Sequence, residues 1–241
     1  MRRQTLQGIL LGSLGIFLLL KLWDGSLSWY IHQRFFLLTF LAALGLLLLA
    51  QQQFASTLQT PLEIEHLPPQ DWLTPRRAAA LGLVALPVLL GLLAPAQPLG
   101  SAALQNRGIN PRAPQAPSGR VIESLLQTPP QDRTLLDWLD LYAYLPNPAA
   151  INGQTATLSG FVYKDPALPA HQFYLARFVV TCCTADAYAV GILVESPQTP
   201  NLRNDDWLQI TGKIQVTAQQ LHLIAEKIDP IGAPPQPYLL R

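Results

Sequence analysis

Residues 173–194, FYLARFVVTCCTADAYAVGILV, decide the fold of the C-terminal half of the chain. They contain two apolar runs, Phe173–Cys182 and Tyr188–Val194, which are rich in β-branched and aromatic residues and are separated by a short turn. Such runs predict β-strands, and the turn between them, at Thr184–Asp186, predicts the tip of a hairpin. The same stretch holds the two cysteines of the chain, Cys182 and Cys183, side by side.

Three further strands are predicted around this pair, each bounded by Gly, Pro, Asn or Asp. They are Gln154–Tyr163, Trp207–Val216 and Leu221–Ile228. Gly160 and Gly212 interrupt two of them, which predicts bulges or barrel corners. Because a five-stranded sheet must protect its edges, we expect a small all-β, OB-like five-stranded barrel, closed or partly closed.

One helix is predicted before the barrel, over Leu135–Leu145. Leu135, Leu136, Leu139 and Tyr142 share one face of it, as the period of an α-helix requires. We expect Asp132 to cap its N-terminus and Pro146 to end it.

The N-terminal part has a different character, since it contains three long uncharged runs. They cover residues of about 5–23, 35–54 and 78–97. A helix that crosses a membrane needs about 20 predominantly apolar residues. Residues 1–98 are therefore predicted to be an α-helical membrane region with three spans, the third kinked at Pro87.

Basic residues orient these spans. Arg2–Arg3 precede the first run and Arg76–Arg77 precede the third. Because positive charge is retained on the cytoplasmic side, we expect a cytoplasmic N-terminus and an extracytoplasmic C-terminal domain. Lys21 and Arg34, which flank the first outer loop, oppose this orientation.

Residues 99–119 are rich in Pro and Gly, which predicts a linker between the membrane region and a domain over 120–241. That domain has eight Lys or Arg and eleven Asp or Glu residues, a net charge of −3. Since binding to phosphates needs a basic face, an OB-type nucleic-acid binder is disfavoured. The lipid bilayer is the expected partner of the first region.

The cysteine pair allows three interpretations. If the strand continues to the cysteines, alternation places Cys182 with Val180 on one face and Cys183 with Arg177 on the other. Cys182 could then be core filler, because a free cysteine packs as a small hydrophobe. The pair could also form a strained, easily reduced disulfide, or its thiolates could bind zinc or copper(I), with Asp186 or a histidine completing the site.

The remaining charged residues, histidines and motifs do not decide between these interpretations. Arg177 lies six residues from Cys183, about 20 Å along a strand, so Asp186 is expected nearer to the thiols than Arg177. His171 and His222 fall in the predicted domain, whereas His32 and His66 fall in loops between the spans. No phosphate-binding loop, nucleophile elbow, zinc-protease motif or dinucleotide fingerprint is present, so no enzyme is predicted.

The motifs of the C-terminal half resemble those of a bacterial family of proteins assigned as subunits of two-component permeases. They are Gly153 with Gly160–Tyr163, then Arg177-x-x-x-x-Cys182-Cys183-x-Ala185-Asp186-Ala187, then Gly191, and Trp207-x-x-x-x-Gly212. The resemblance covers essentially the whole chain, and the double cysteine followed by Ala-Asp-Ala is its most specific part. It implies a location in the plasma (inner) membrane of a bacterium and a larger multi-span permease as partner. It also implies a functional surface at Arg177, Cys182, Cys183, Ala185, Asp186 and Trp207.

The resemblance also bears on the metal. Some members of that family are associated with zinc homeostasis, and some carry a His-rich loop between spans two and three. Here residues 51–77 contain only His66, which weakens the case for zinc.

Two hypotheses follow. In the first, the chain is a membrane-anchored accessory subunit of a permease complex, and its outer β-domain binds or senses a small solute or metal. In the second, it is a stand-alone membrane-tethered thiol-redox or metal-binding module.

Overall fold

The computed structural model describes residues 3–59, 75–94, 96–110, 119–218 and 220–240. The chain divides into two compact units, Met1–Gln97 and Pro98–Arg241. Each unit is described by itself below.

The first unit is helical. Its helices are α1 (Arg3–Trp23), α2 (Phe36–Gln59) and α3 (Pro75–Leu93). Among the described residues, two segments, Thr5–Trp23 and Gln33–Ser56, are long and apolar enough to cross a membrane. This agrees with the first two predicted spans. The run predicted as a third span forms α3, with Pro87 inside it, and its crossing of a membrane stays a prediction.

Helices α1 and α2 approach closely at Gly15. A Cβ placed on Gly15 would come within 3.0 Å of the Leu47 side chain and 3.1 Å of the Ala43 carbonyl oxygen. Small residues at such crossings let helix backbones pack tightly in lipid, where no hydrophobic force drives helices together. His66 and most of the loop around it lie outside the described residues.

In its described residues, the second unit has three α-helices and seven strands. The helices are α4 (Ser101–Arg107), α5 (Gly119–Gln127) and α6 (Leu135–Tyr144). The strands are β1 (Ile109–Asn110), β2 (Thr155–Tyr163), β3 (Gln172–Val180), β4 (Tyr188–Glu195), β5 (Trp207–Val216), β6 (Leu221–Ile231) and β7 (Leu239–Leu240). All five predicted strands are present as β2–β6.

The five long strands form a mixed barrel. β2 pairs antiparallel with β3 and β5, β3 with β4, and β5 with β6, while β4 and β6 pair in parallel. The pairing of β3 with β4 connects the two ends of the strand order. The short strands β1 and β7 add in parallel to β4 and β3. Closure hides the sheet edges, as the sequence argument required.

Two apolar clusters stabilise the barrel. The larger one joins the barrel interior to α6, with Trp138, Leu158 and Phe173 fully or almost fully buried. The smaller one lies on the other face of β2 and β3, where the rings of Phe161 and Phe178 stack at 5.9 Å. Because successive side chains of a strand point to opposite faces, β2 and β3 each contribute residues to both clusters.

The N-cap of α6 differs from the prediction. Thr134, not Asp132, caps the helix: its side chain accepts the N–H of Asp137, and Asp137 accepts the N–H of Thr134 at 2.7 Å. Asp132 instead lies in a 3₁₀ turn over Pro130–Asp132. A reciprocal capping box satisfies two helix-end donors, which a lone aspartate two residues earlier would not.

The predicted strand irregularity at Gly212 is confirmed. The register of β5 against β6 shifts between Thr211 and Gly212. A Cβ on Gly212 would collide with the carbonyl oxygen of Ile224, so the bulge brings two backbones too close for a side chain.

Part of the region assigned to a linker is structured. Residues 99–110 contain α4 and β1 and belong to the second unit. The Asp205 carboxylate accepts hydrogen bonds from the N–H and the hydroxyl of Ser101, both at 2.6 Å, and the hydroxyl of Tyr238 accepts the N–H of Leu99 at 3.0 Å. Residues 111–118 lie outside the described residues.

Candidate functional site

The cysteine pair lies on the loop between β3 and β4. Strand β3 ends at Val180, so neither cysteine continues its alternation, and the condition for thiols on opposite faces is not met. Both cysteines are free and half-buried, and the Cys182 Sγ atom lies 3.7 Å from that of Cys183. The thiols therefore face a common space at the end of the hairpin.

The Asp186 carboxylate organises this loop. It accepts the backbone N–H groups of Cys182 at 2.8 Å, Thr181 at 3.3 Å and Cys183 at 3.4 Å. A carboxylate that collects successive N–H groups fixes the backbone between them. Ala185 lies exposed beside it on the same turn. The turn thus returns Asp186 to the two cysteines, as the sequence suggested.

The same contacts raise the pKa of Cys182 and lower the pKa of Asp186. The adjacent Asp186 carboxylate and then Cys183 raise the pKa of the Cys182 thiol to about 11. Desolvation on its own would raise the pKa of Asp186, but hydrogen bonds from Cys182, Thr181 and Cys183 outweigh it and lower that pKa. At neutral pH the site therefore holds a carboxylate beside a protonated Cys182, which is a poor nucleophile.

Arg107, at the C-terminus of α4, holds the loop from outside. Its Nη1 donates to the carbonyl oxygens of Thr184 at 3.0 Å and Ala187 at 2.6 Å. The Cys182–Asp186 loop is thus fixed from within by Asp186 and from outside by Arg107. Sequence reasoning missed Arg107, because nothing in a short polar helix indicates a contact about 80 residues away.

Arg177 and Trp207 form a second group. Arg177 shares a face of β3 with Leu175 and Val179, and it donates to the carbonyl oxygens of Pro237 at 3.1 Å and Gln236 at 2.8 Å. Its guanidinium lies 5.8 Å from the ring of Trp207. Burial lowers the pKa of Arg177 to about 10. The structure thus divides the six predicted surface residues into a cysteine loop and an arginine group.

Arg133, which the sequence analysis also missed, is 4% exposed. It donates to the carbonyl oxygens of Leu125, Leu126 and Thr128 and to the side chain of Gln154, and it stacks at 4.9 Å on Trp138. A charged residue directly before an apolar helix was the one signal for it.

Metal binding by Cys182, Cys183 and Asp186 stays a prediction. Among the described residues, no group of three or more His, Cys, Asp or Glu side chains is placed to hold a metal ion. His171 lies 4.0 Å from Glu195, and His222 lies in β6. The oxygens of Asp186 already accept backbone N–H groups. A closed zinc site needs four ligands, and the residues described do not supply them.

The fold and the loop define a class of protein: a small β-barrel with a paired-cysteine hairpin, in a chain with two apolar helices of membrane-spanning length. The sequence profile of the DUF1980 N-terminal domain matches residues 6–110, and that of the DUF1980 C-terminal domain matches residues 132–241. The chain belongs to the DUF1980 family, and the resemblance noted in the sequence is confirmed.

Two curated relatives match shorter segments. UPF0703 protein YcgQ of Bacillus subtilis (strain 168) is 34% identical over 67 residues, which is 28% of this chain and 24% of that protein. A protein of Streptococcus mutans serotype c (strain ATCC 700610 / UA159), named "Putative two-component membrane permease complex subunit", is 36% identical over 61 residues, or 25% of this chain and 22% of that protein. The chain thus matches about a quarter of the length of each.

Proposed function

We propose that this chain is a membrane-anchored accessory subunit of a permease complex, with a larger multi-span membrane protein as its partner. One observation carries the proposal: a single chain joins two apolar helices of membrane-spanning length to a barrel that matches the DUF1980 C-terminal domain and contains the cysteine pair. The name of the Streptococcus mutans relative supports the partner. The proposed role is not enzymatic.

The proposal includes three spans and an outer β-domain. α3 would be the third span, with Pro87 tolerated because neighbouring helices can satisfy the freed backbone groups. Three spans and a cytoplasmic N-terminus together require the C-terminal unit to be extracytoplasmic. The basic pairs Arg2–Arg3 and Arg76–Arg77 support this orientation.

We infer further that the barrel is of the OB type. Its strands form a meander β2–β3–β4, followed by the parallel pair β4–β6 and the antiparallel pairs β6–β5 and β5–β2. Barrels of this type bind ligands on their surface and loops. In the proposed role the barrel binds or senses a small solute, with the cysteine loop as the contact surface.

A second function has one observation in its favour. The two thiol sulfurs lie 3.7 Å apart, so a rotation of the side chains and some backbone adjustment would bring them to the 2.05 Å of a disulfide. A stand-alone thiol-redox or metal-binding module would use this pair without a permease. The raised pKa of Cys182 disfavours a rapidly reacting thiolate, so the subunit role is preferred.

Labelling of the cysteines tests the membrane arrangement, because Cys182 and Cys183 are the two cysteines of the chain. After gentle reduction, a membrane-impermeant maleimide should label these cysteines equally in whole cells and in lysed cells. Labelling that needs lysis would reject an outer β-domain. The partner is tested by isolating the tagged chain from its native membrane in mild detergent, where a multi-span protein should co-purify.

A further inference from the structure

A polar pocket of about 150 Å³ opens between β2, β3 and the turn that precedes α6. Its lining contains two arginines and three hydroxyl groups, with one carboxylate. The residues with these groups are Asp132, Arg133, Thr134, Thr157, Ser159 and Arg177. Most pockets for drug-sized ligands are larger, at about 300–1,000 Å³, so this one has the size for a small ion or a very small molecule.

Arg177 is the central feature of this pocket. Its guanidinium is buried enough for its pKa to fall to about 10. Among the described residues it forms no ion pair with a carboxylate, and Nη1 has no hydrogen-bond acceptor. Taking a cation out of water is costly unless an anion compensates it, and two carbonyl oxygens do so only in part.

Arg133 adds a second positive charge that forms no ion pair among the described residues. Its four bonds go to three carbonyl oxygens and to the neutral Gln154 side chain, and it too lacks an ion pair within the described part of the chain. Asp137 lies close enough to oppose the effect of burial on its pKa, and Asp132 lines the pocket. The lining therefore keeps a net formal charge of +1.

The hydroxyl groups differ in availability. Thr134 is committed to the cap of α6, and Thr157 pairs with Thr211 at 3.1 Å. Ser159, half-buried on the same strand as Thr157, forms no side-chain hydrogen bond among the described residues. It is thus a donor in reach of whatever the arginines attract.

We propose that this pocket binds a small oxyanion, with Arg177 as the main ligand and Arg133 and Ser159 as supporting donors. Carboxylate, phosphate and sulfate share the planar or tetrahedral oxygens that a guanidinium fork recognises. Free anions and lipid headgroups both present this chemistry. The inference goes beyond the permease role, since it concerns the barrel alone and holds whether or not a partner is bound.

Equilibrium dialysis of the full-length protein in a non-ionic detergent tests it. The probes are radiolabelled inorganic phosphate and acetate, at an ionic strength held constant with chloride. We expect one saturable site per chain for at least one probe, and a loss of about tenfold or more in affinity for Arg177→Gln. Arg177→Lys keeps the positive charge but lacks the paired N–H donors of a guanidinium. Its affinity should therefore lie between that of the original protein and that of Arg177→Gln.

Arg203→Gln is the matched control, because it removes the same charge from an exposed position. Its affinity should stay within about twofold of the original. Ser159→Ala, which keeps all charges, should weaken anion binding by about threefold. This variant tests the site if Arg177→Gln does not fold. Near-UV circular dichroism reports folding in each case.

Two results would overturn the proposal: no saturable binding of either anion, or an equal loss in Arg203→Gln and Arg177→Gln. Phosphatidylglycerol added to the micelles identifies the source of the anion. If it competes with phosphate, the site recognises lipid headgroups. If it does not, the site recognises soluble anions.

Discussion

The guanidinium of Arg107 donates a hydrogen bond of 2.6 Å to the carbonyl oxygen of Ala187. This bond connects α4 to the cysteine loop, and α4 lies in the segment that follows the helical first unit in the sequence. A second bond from the same nitrogen to Thr184 holds the other side of the loop. The two bonds therefore join the conformation of the loop to that of α4.

Arg107→Ala is expected to loosen the cysteine loop without unfolding the barrel. The carbonyl oxygens of Thr184 and Ala187 would lose a charged donor, and such bonds contribute about 1.5–3 kcal/mol when sheltered and less when exposed. Hydrogen–deuterium exchange measured on a peptide over 181–188 should become about three- to tenfold faster. Arg203→Ala should leave it unchanged, and equal acceleration in both variants would show that Arg107 does not hold the loop.

Asp186→Asn is expected to lower the pKa of Cys182. The carboxylate is the largest cause of a pKa of about 11, ahead of Cys183 and burial, so its removal moves the pKa toward the ordinary thiol value of about 8.5. The thiolate fraction of Cys182 at pH 8.5 therefore rises. A thiolate of lower pKa is a weaker nucleophile, so alkylation of Cys182 by iodoacetamide should be only about tenfold faster.

The pH profile separates this effect from simple loosening of the loop. In Asp186→Asn the midpoint of the alkylation rate should move to lower pH, whereas in Arg107→Ala the rate should rise at every pH with the midpoint unchanged. Asp165→Asn removes an equal charge from another loop, where Asp165 accepts the N–H of Ala167. A midpoint that stays near pH 11 in Asp186→Asn would refute the electrostatic role of Asp186.

Replacing both cysteines by serine is expected to leave the barrel folded. Both thiols are half-buried and outside the two apolar clusters, so the free energy of unfolding should change by only about 0.5 kcal/mol. Phe178→Ala, at a position 1% exposed, should cost about 3–5 kcal/mol. Chemical denaturation measures both. If the double serine variant lost as much free energy of unfolding as Phe178→Ala, the cysteines would be part of the packed core, as in the first interpretation.

Gly212→Ala is expected to destabilise the barrel through its backbone. The new methyl group would collide with the carbonyl oxygen of Ile224 at the bulge of β5. Overpacking of this kind costs about 1–3 kcal/mol, because backbone cannot move aside as a flexible side chain can. Gly232→Ala is the control, since nothing lies within 4 Å of its added Cβ. Equal unfolding midpoints for the two variants would contradict the close approach.

The strands were predictable because their signal is local. Alternation and turn residues within each run located all five long strands, and Tyr188–Glu195 and Trp207–Val216 match the predicted bounds closely. The helix cap was missed because aspartate is a better N-cap residue than threonine on its own, whereas the reciprocal bonds between Thr134 and Asp137 decide the cap here. Residues 99–110 were missed because Leu99 and Ser101 bond to Tyr238 and Asp205, more than 100 positions away.

The site was predictable to the same extent. The return of Asp186 to the cysteines is a turn within five residues, which the composition of Thr184–Asp186 indicates. Arg107 and Arg133 reach their acceptors through the tertiary fold, so no spacing in the sequence reveals them. The end of β3 at Val180 placed both thiols on one loop, where simple alternation would have separated them.

The composition of the complex tests the central claim most directly. The tagged full-length chain, isolated from its native membrane in mild detergent, can be analysed by native mass spectrometry. The account predicts a complex of fixed stoichiometry with a multi-span membrane protein, unchanged in the Arg203→Gln variant. A chain that elutes alone, with no membrane partner at any detergent concentration that keeps the barrel folded, would contradict it.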